Sequence, residues 1–262
     1  GAADKNTVTV ILLHEFKGSR KDFSVLAPYL AQQGYAVMVP DLRGHGDSTS
    51  RLDVRSRKVV KFEAADMRKN DFSQIARHDM GALRRFLVAK NNAGELNLNK
   101  LVILGMEMGA GVAIDWAVYD WSFPDYVGVK QSKDVKALVL ISPQRTYSGL
   151  QTSQSLKHGA IQSLLPIMIV VGGADRKARS DASYIYDKMK SVRREEFPDL
   201  SPAEAMEKRT LWFFQPETTL QSAKLLKAMA SKLRDTIHKF IDLRVASDTS
   251  GATAWVEHAT PK

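Results

Sequence analysis

"LVILGMEMGAG", residues 101–111, decides the fold. Leu101 to Leu104 form an unbroken apolar run, as expected of a strand buried on both faces. The run stops at Gly105, and Gly109 opens "GAGVAIDWAVY", which reads as a helix. A strand, a turn bracketed by glycines and a helix place Glu107 at the tip of the turn. Gly105, Gly109 and Gly111 allow the tight turn and a close approach of helix to strand.

The same alternation runs outward along the chain. Strands are expected at "TVTVILL" (7–13), "YAVMVP" (35–40), "KLVILG" (100–105), "VKALVLISP" (135–143), "PIMIVVGG" (166–173) and "RTLWFF" (209–214). Helical spacing of apolar residues appears in "RKDFSVLAPYLAQQ" (20–33), "QIARHDMGALRRFLVAK" (74–90), "DASYIYDKMK" (181–190) and "TTLQSAKLLKAMASKLRDTIHKFIDL" (218–243). Strands alternating with helices predict an α/β fold, with a mainly parallel sheet and helices on both faces. No repeat or linker divides the chain, so a single domain over residues 1–262 is expected, its core within about 7–243. Residues 46–73 read as a long, polar, basic loop, and 245–262 as a weakly patterned tail. Residues 144–165 leave no room for a large cap domain.

Composition excludes several classes. The chain has 262 residues, 44% hydrophobic and 26% charged, as expected of a soluble globular protein. No apolar run reaches the ~20 residues of a membrane span. No signal-like segment opens the sequence; both a cytoplasmic protein and an exported one whose leader has been removed are compatible with it. The absence of cysteine excludes disulfides and thiolate zinc sites. Net charge is +9, with basic residues concentrated in "RLDVRSRKVVK" (51–61), "DRKARS" (175–180) and "KSVRR" (190–194). Such clusters are ordinarily solvated faces; the sharper reading is a patch for an anionic partner. No nucleic-acid motif or interleaved aromatic residues accompany them, so nucleic acid ranks last among partners. No cofactor motif is present, and the oligomeric state is not legible.

The order of motifs over roughly residues 7–243 resembles the α/β-hydrolase superfamily, in its esterase and lipase-like branch. "LLHEFKGSRKDFSVLAPYLAQQGYAVMVPDLRGHGDS" is similar to the family's oxyanion-loop segment, followed by a helix, a strand and an Asp-x-x-Gly-His-Gly-x-Ser turn. "GMEMG" stands where that family carries its G-x-S-x-G nucleophile elbow. "PIMIVVGGADRKAR" resembles the strand whose end carries the catalytic acid, here Asp175. The resemblance places the oxyanion-hole region at His14, Glu15, Phe16 and Met108, with backbone donors near Glu15–Phe16 and at Met108.

The chemistry departs from that pattern. A serine nucleophile works because a histidine takes its proton and an acid orients the histidine. Glu107 has no proton to lose at neutral pH, and it is one methylene longer than the aspartate nucleophiles of some relatives. The family's histidine follows the last strand, but residues 217–222 here read Glu-Thr-Thr-Leu-Gln-Ser. Loss of a nucleophile or base costs on the order of 10⁶ in turnover in a well-studied serine protease. Of the six histidines, His14 is expected to support the oxyanion loop and His45 to brace a turn. His158 is the stray candidate for reaching the cleft, and His238 falls late in a helix. His78 and His258 are not placed near the site. Asp175 is expected to pair with Arg176 or Lys177, and Ser142 reads as a strand-end serine. A metal held by His14, Glu15, Glu107 and Asp175 lacks any supporting local spacing such as H-x-x-x-H.

A charged Glu107 opposes an oxyanion beside it. At an effective dielectric of ~20, two charges ~4 Å apart repel by roughly 4 kcal/mol, as much as one oxyanion donor contributes. The same donors, with the positive end of the following helix, suit a built-in carboxylate. The leading expectation is therefore a homologue that has lost serine-hydrolase activity and keeps its cleft for a small-molecule ligand or protein partner. The alternative is an active hydrolase, acting on an ester or related substrate, that uses Glu107 and a relocated histidine. A basic surface module for an anionic polymer ranks third.

Overall fold

In chain order, β1 (Val8–Leu13) and β2 (Ala36–Met38) precede a two-stranded ribbon made of β3 (Ser50–Asp53) and β4 (Lys58–Lys61). Strands β5 (Asn97–Met106), β6 (Val135–Ile141), β7 (Ile167–Val170) and β8 (Leu211–Phe214) follow. The computed structural model describes residues 3–53, 55–125, 128 and 130–259. Six strands form one sheet in the order β2-β1-β5-β6-β7-β8, with every neighbouring pair parallel. The helices are α1 (Leu26–Gln32), α2 (Lys69–Gln74), α3 (Met80–Asn92), α4 (Met108–Trp121) and α5 (Thr152–Ser155). They continue with α6 (Arg176–Arg193), α7 (Pro202–Lys208), α8 (Ser222–Ala228) and α9 (Ala230–Ile241).

The period of two along each strand divides the core between the faces. Ile11, Leu13, Leu101, Ile103, Leu138, Leu140, Ile167 and Ile169 pack with Leu87 and Val88 of α3, Val112 to Ile114 of α4 and Ile185 of α6. Val10, Leu12, Val102, Leu104, Val139, Ile141, Met168 and Val170 pack with Leu26 and Leu30 of α1, Leu225 of α8 and Ile237 of α9. Burying both faces is why these strands read as continuous apolar runs. Only α5 and a π-helical turn (Ala160–Leu164) lie between β6 and β7, so no large cap domain stands there.

Three stretches differ from the sequence expectation. The long loop 46–73 contains the β3–β4 ribbon and α2, and α2 runs into α3 through a π-helical turn at Ile75–Asp79. The helix expected over 218–243 begins at Ser222 and breaks at Met229 into α8 and α9. Its first residues are held as a loop instead, because Gly173 N–H donates to Pro216 O (2.8 Å) and Ala174 N–H to Thr218 O (3.1 Å). The tail is bound through the polar stretch "NNAGELNLNK" (91–100). Side-chain amides donate to tail carbonyls: Asn91 to Val256, Asn92 to His258, Asn97 to Thr253, and Asn99 to Ala252 and Ala254, all at 2.8–3.1 Å.

Beneath that clamp, at the amino end of β6, His258 Nε2–H donates to Asp134 Oδ1 (2.8 Å). Arg84 Nε donates to Asp134 Oδ2 (2.8 Å), and Lys130 Nζ lies 3.7 Å from Oδ1. Burial alone would raise the Asp134 carboxyl; the His258 hydrogen bond and the Arg84 charge outweigh it and hold the group below its ordinary range.

Candidate active site

Both glycines of the turn are fixed by crowding. A Cβ at Gly105 would lie 2.2 Å from the Gly109 carbonyl oxygen, and one at Gly109 would lie 2.3 Å from the Leu13 carbonyl oxygen. The elbow therefore packs backbone to backbone against β1. Glu107 takes φ +47° and ψ −104°, a conformation costly for a side chain with a Cβ. It is held there by its N–H donating to Ile141 O (2.9 Å), while its carbonyl accepts from Ala110 and Gly111 as α4 begins. Backbone geometry of this kind lifts the tip residue clear of the sheet's carboxyl end.

The Glu107 carboxylate is half-buried. Gln144, just past β6, donates from Nε2 to Oε1 (2.8 Å), and the Phe16 backbone N–H lies near enough to favour the charged carboxylate. Burial pushes the Glu107 carboxyl above its ordinary value, and these two groups oppose the shift. Glu15 lies on the same loop as Phe16. Its carboxyl is also raised, first by burial and then by the charge of Glu107; the Ser222 hydroxyl and Ala223 N–H at the start of α8 oppose this. Aromatic rings stand alongside: Phe16 packs on Phe72 of α2 (5.9 Å between centroids), and Phe72 on Tyr147 (5.4 Å). Burial and then the Glu107 charge raise the Tyr147 hydroxyl.

The histidines are committed elsewhere. His14 is fully buried; its Nδ1–H donates to Glu15 O (2.7 Å) and its Nε2 accepts from Leu42 N–H (3.0 Å). Both ring nitrogens thus tie the oxyanion loop to the segment after β2, and burial lowers the His14 pKa. His45 Nδ1 bonds to Arg43 O (2.9 Å), and its ring packs on those of His14 and Phe16. His158 Nδ1 accepts from Ala160 N–H (3.2 Å), which turns the chain before the π-helical segment. His238 bonds to the Tyr35 hydroxyl (2.8 Å), His258 belongs to the tail cluster, and His78 is exposed. Among the described residues, no histidine is hydrogen-bonded to Glu107 or Asp175.

Asp175 is the N-cap of α6, its Oδ1 accepting from Ala178 N–H (2.9 Å). This replaces the expected pairing with Arg176 or Lys177: an N-cap oxygen satisfies a helix donor that has no other partner. Ser142, buried at the end of β6, donates to Gln221 Oε1 (2.7 Å) and accepts from Ser222 N–H (2.9 Å). Gln221 also bonds both the N–H and the carbonyl of Gly172 (3.2 and 3.0 Å). Gln221 therefore stitches β6, β7 and the segment after β8 together, in the stretch where the resemblance places a histidine. Sequence reading missed Gln144 and Gln221. Among the described residues, no group of three or more His, Cys, Asp or Glu side chains is placed to hold a metal ion.

A six-stranded parallel sheet with helices on both faces, and a strained elbow at the end of its third strand in spatial order, define an α/β-hydrolase fold. The family model described as "Serine aminopeptidase, S33" (Hydrolase_4) matches residues 4–194, more than half of the chain, and the chain belongs to that family. Among solved structures it is similar to the esterase Pf2001 of Pyrococcus furiosus, at 16% identity and TM-score 0.59, covering 92% of this chain and 84% of that one. It is also similar to a dienelactone hydrolase from Anabaena variabilis, at 15% identity and TM-score 0.58, covering 91% and 87%. The α/β hydrolase GrgF from a Penicillium species matches at 14% identity and TM-score 0.58, covering 93% and 92%. At these identities the likeness shows the fold. No curated protein matches the chain in sequence.

Proposed function

We propose that this member of the family is non-catalytic as a serine hydrolase and that Glu107 fills its oxyanion hole as a built-in anion. One observation carries the reading: the Glu107 carboxyl lies against the loop assigned to the oxyanion hole, near enough for the Phe16 N–H to favour its charged form. A donor committed to a resident anion is not free for a transition state, and the resident charge repels a developing oxyanion. On this reading Met108 N–H, at the positive end of α4, is the second donor to the hole. The glycines and the strained φ at Glu107 serve the packing of the turn rather than a nucleophile, and Asp175 serves as a cap. The domain, read as one unit over residues 1–262, keeps its cleft for a small-molecule ligand or protein partner.

The test is a panel of p-nitrophenyl esters and haloalkanes assayed with the wild type and with Glu107→Gln. The expected result is no turnover above the buffer rate for either. Turnover by the wild type that Glu107→Gln abolishes would overturn the reading and support the alternative, a hydrolase working through Glu107 and a histidine brought from elsewhere.

A further inference from the structure

We infer that the β3–β4 ribbon docks the protein onto an anionic lipid surface, with Leu52 and Val59 entering the acyl boundary and the surrounding cations meeting the headgroups. Leu52 is 62% exposed and Val59 72% exposed, the two most exposed large apolar side chains among the described residues. They are cross-strand partners, so they stand side by side on one face of the ribbon. The opposite face turns toward the body: Val60 is half-buried, Arg51 stacks over Phe62 (4.4 Å) and Arg51 lies 3.8 Å from Asp71. The aliphatic pair is therefore fixed outward.

The charges around the pair are sorted. Asp53, the ribbon's own acidic residue, accepts from Arg55 N–H (3.0 Å) and the Ser56 hydroxyl (2.7 Å) and so closes the turn. Arg51 faces Asp71 and Lys61 faces Glu63, but among the described residues Arg55, Arg57 and Lys58 have no carboxylate partner. All three are exposed at the free end of the ribbon, Arg55 and Arg57 in its turn and Lys58 on the face opposite the aliphatic pair. Lysines on a ribbon edge commonly discourage pairing with another strand, which accounts for Lys58 and Lys61. It does not account for two solvated aliphatic side chains brought together.

The occupant follows from this chemistry. A second copy of the chain would set like charges against each other. Single-stranded nucleic acid is bound on stacking rings, and the outward pair here is aliphatic. A stable protein partner buries about 1,200 Å² or more in total, far more than a narrow ribbon end offers. A lipid surface needs only a shallow apolar wedge and nearby cations, since cations near anionic headgroups and buried apolar area both add to binding. The basic cluster on α6 packs beside β7 and β8, whereas the ribbon lies against α2 and the segment after β2.

The experiment is vesicle flotation with the full chain, using phosphatidylcholine vesicles with and without phosphatidylserine, at low and high salt. The wild type is expected to float with phosphatidylserine vesicles at low salt and to be released at high salt. Leu52→Ser/Val59→Ser is expected to weaken this binding about tenfold. Arg55→Glu/Arg57→Glu/Lys58→Glu should abolish it. Lys177→Glu/Arg179→Glu, on α6, should leave it unchanged. All these side chains are exposed, so unaltered melting temperatures should show that the variants are folded. The inference is overturned if the wild type does not bind, or binds phosphatidylcholine equally. It is overturned if the Leu52/Val59 variant binds like the wild type, or if the α6 variant loses as much as the ribbon variant. Retention on single-stranded RNA in place of vesicles would also overturn it.

Discussion

The two ends of the sheet treat one carboxylate each, Asp134 and Glu107, in opposite ways, although Asp120 beside Asp134 is itself pushed up to about 7 by burial and the Asp134 charge. At the amino end Asp134 is ringed by Arg84, Lys130 and His258, and its carboxyl is held below the ordinary range against the pull of burial. At the carboxyl end Glu107 accepts from the Gln144 side-chain amide, its carboxyl is raised by burial, and its charge raises Glu15 nearby. Cations that neutralise a buried acid make it a permanent structural charge. Neutral dipoles leave the negative charge uncompensated, which is how a protein receives an anion that comes and goes. The amino end is an electrostatic clamp for the tail; on the proposed reading the carboxyl end is a site whose resident is one of its own side chains.

Breaking the clamp should have the largest effect. Asp134→Ala leaves Arg84 and His258 facing an empty site and should cost about 3–5 kcal/mol, read from urea unfolding near neutral pH. The sign with pH follows from the depressed carboxyl. The stability that Asp134 contributes is fully present above the unfolded carboxylate range and is lost as pH falls through the folded value. The gap between wild type and variant should therefore narrow in acid. A gap unchanged between neutral pH and pH values below the carboxylate range would break the contrast between the two ends.

The two ends also differed in how far they could be read from sequence. The carboxyl end was legible because its features are local: "LVILGMEMGAG" contains strand, glycines and helix start within a few residues, and "PETTLQS" plainly contains no histidine. The strands were legible because two-sided burial makes them continuously apolar. The clamp was not, because it joins Asn91 to Asn99 with residues more than a hundred positions later through main-chain carbonyls, which every residue carries. The asparagine density of 91–99 was its one trace. The break at Met229 and the loop before Ser222 were hidden for a similar reason. Hydrogen bonds from Gly173 and Ala174 to that loop overrode a good helical pattern.

A middle-sized effect separates a cap from a catalytic acid. Asp175→Ala removes the oxygen that accepts from Ala178 N–H and should destabilise by about 1 kcal/mol, within the usual range for an N-cap. Asp175→Asn or Asp175→Ser should retain most of that stability, since either side chain can cap. In a working triad all three substitutions would instead act on turnover. A loss of stability as large as that of Asp134→Ala would mean that Asp175 has partners beyond the cap and would weaken the reading of this end as lightly held.

The smallest effect is the most diagnostic of how Glu107 is held. A carboxyl raised on folding binds its proton at a higher pH in the folded chain than in the unfolded one. Its charge therefore weighs against folding above the folded value, and this penalty disappears as pH falls below the unfolded value. Glu107→Gln removes the titration while leaving an amide oxygen that can accept from Gln144. The variant should thus be most favoured relative to wild type in mildly alkaline solution and lose that advantage steadily toward acid. The measurement is the difference in melting temperature between the two proteins across pH. An advantage for the variant that grows toward acid would mean that the wild-type carboxylate is stabilised by folding. Glu107 would then be held like Asp134, by compensating charge, and the two ends of the sheet would no longer be opposites.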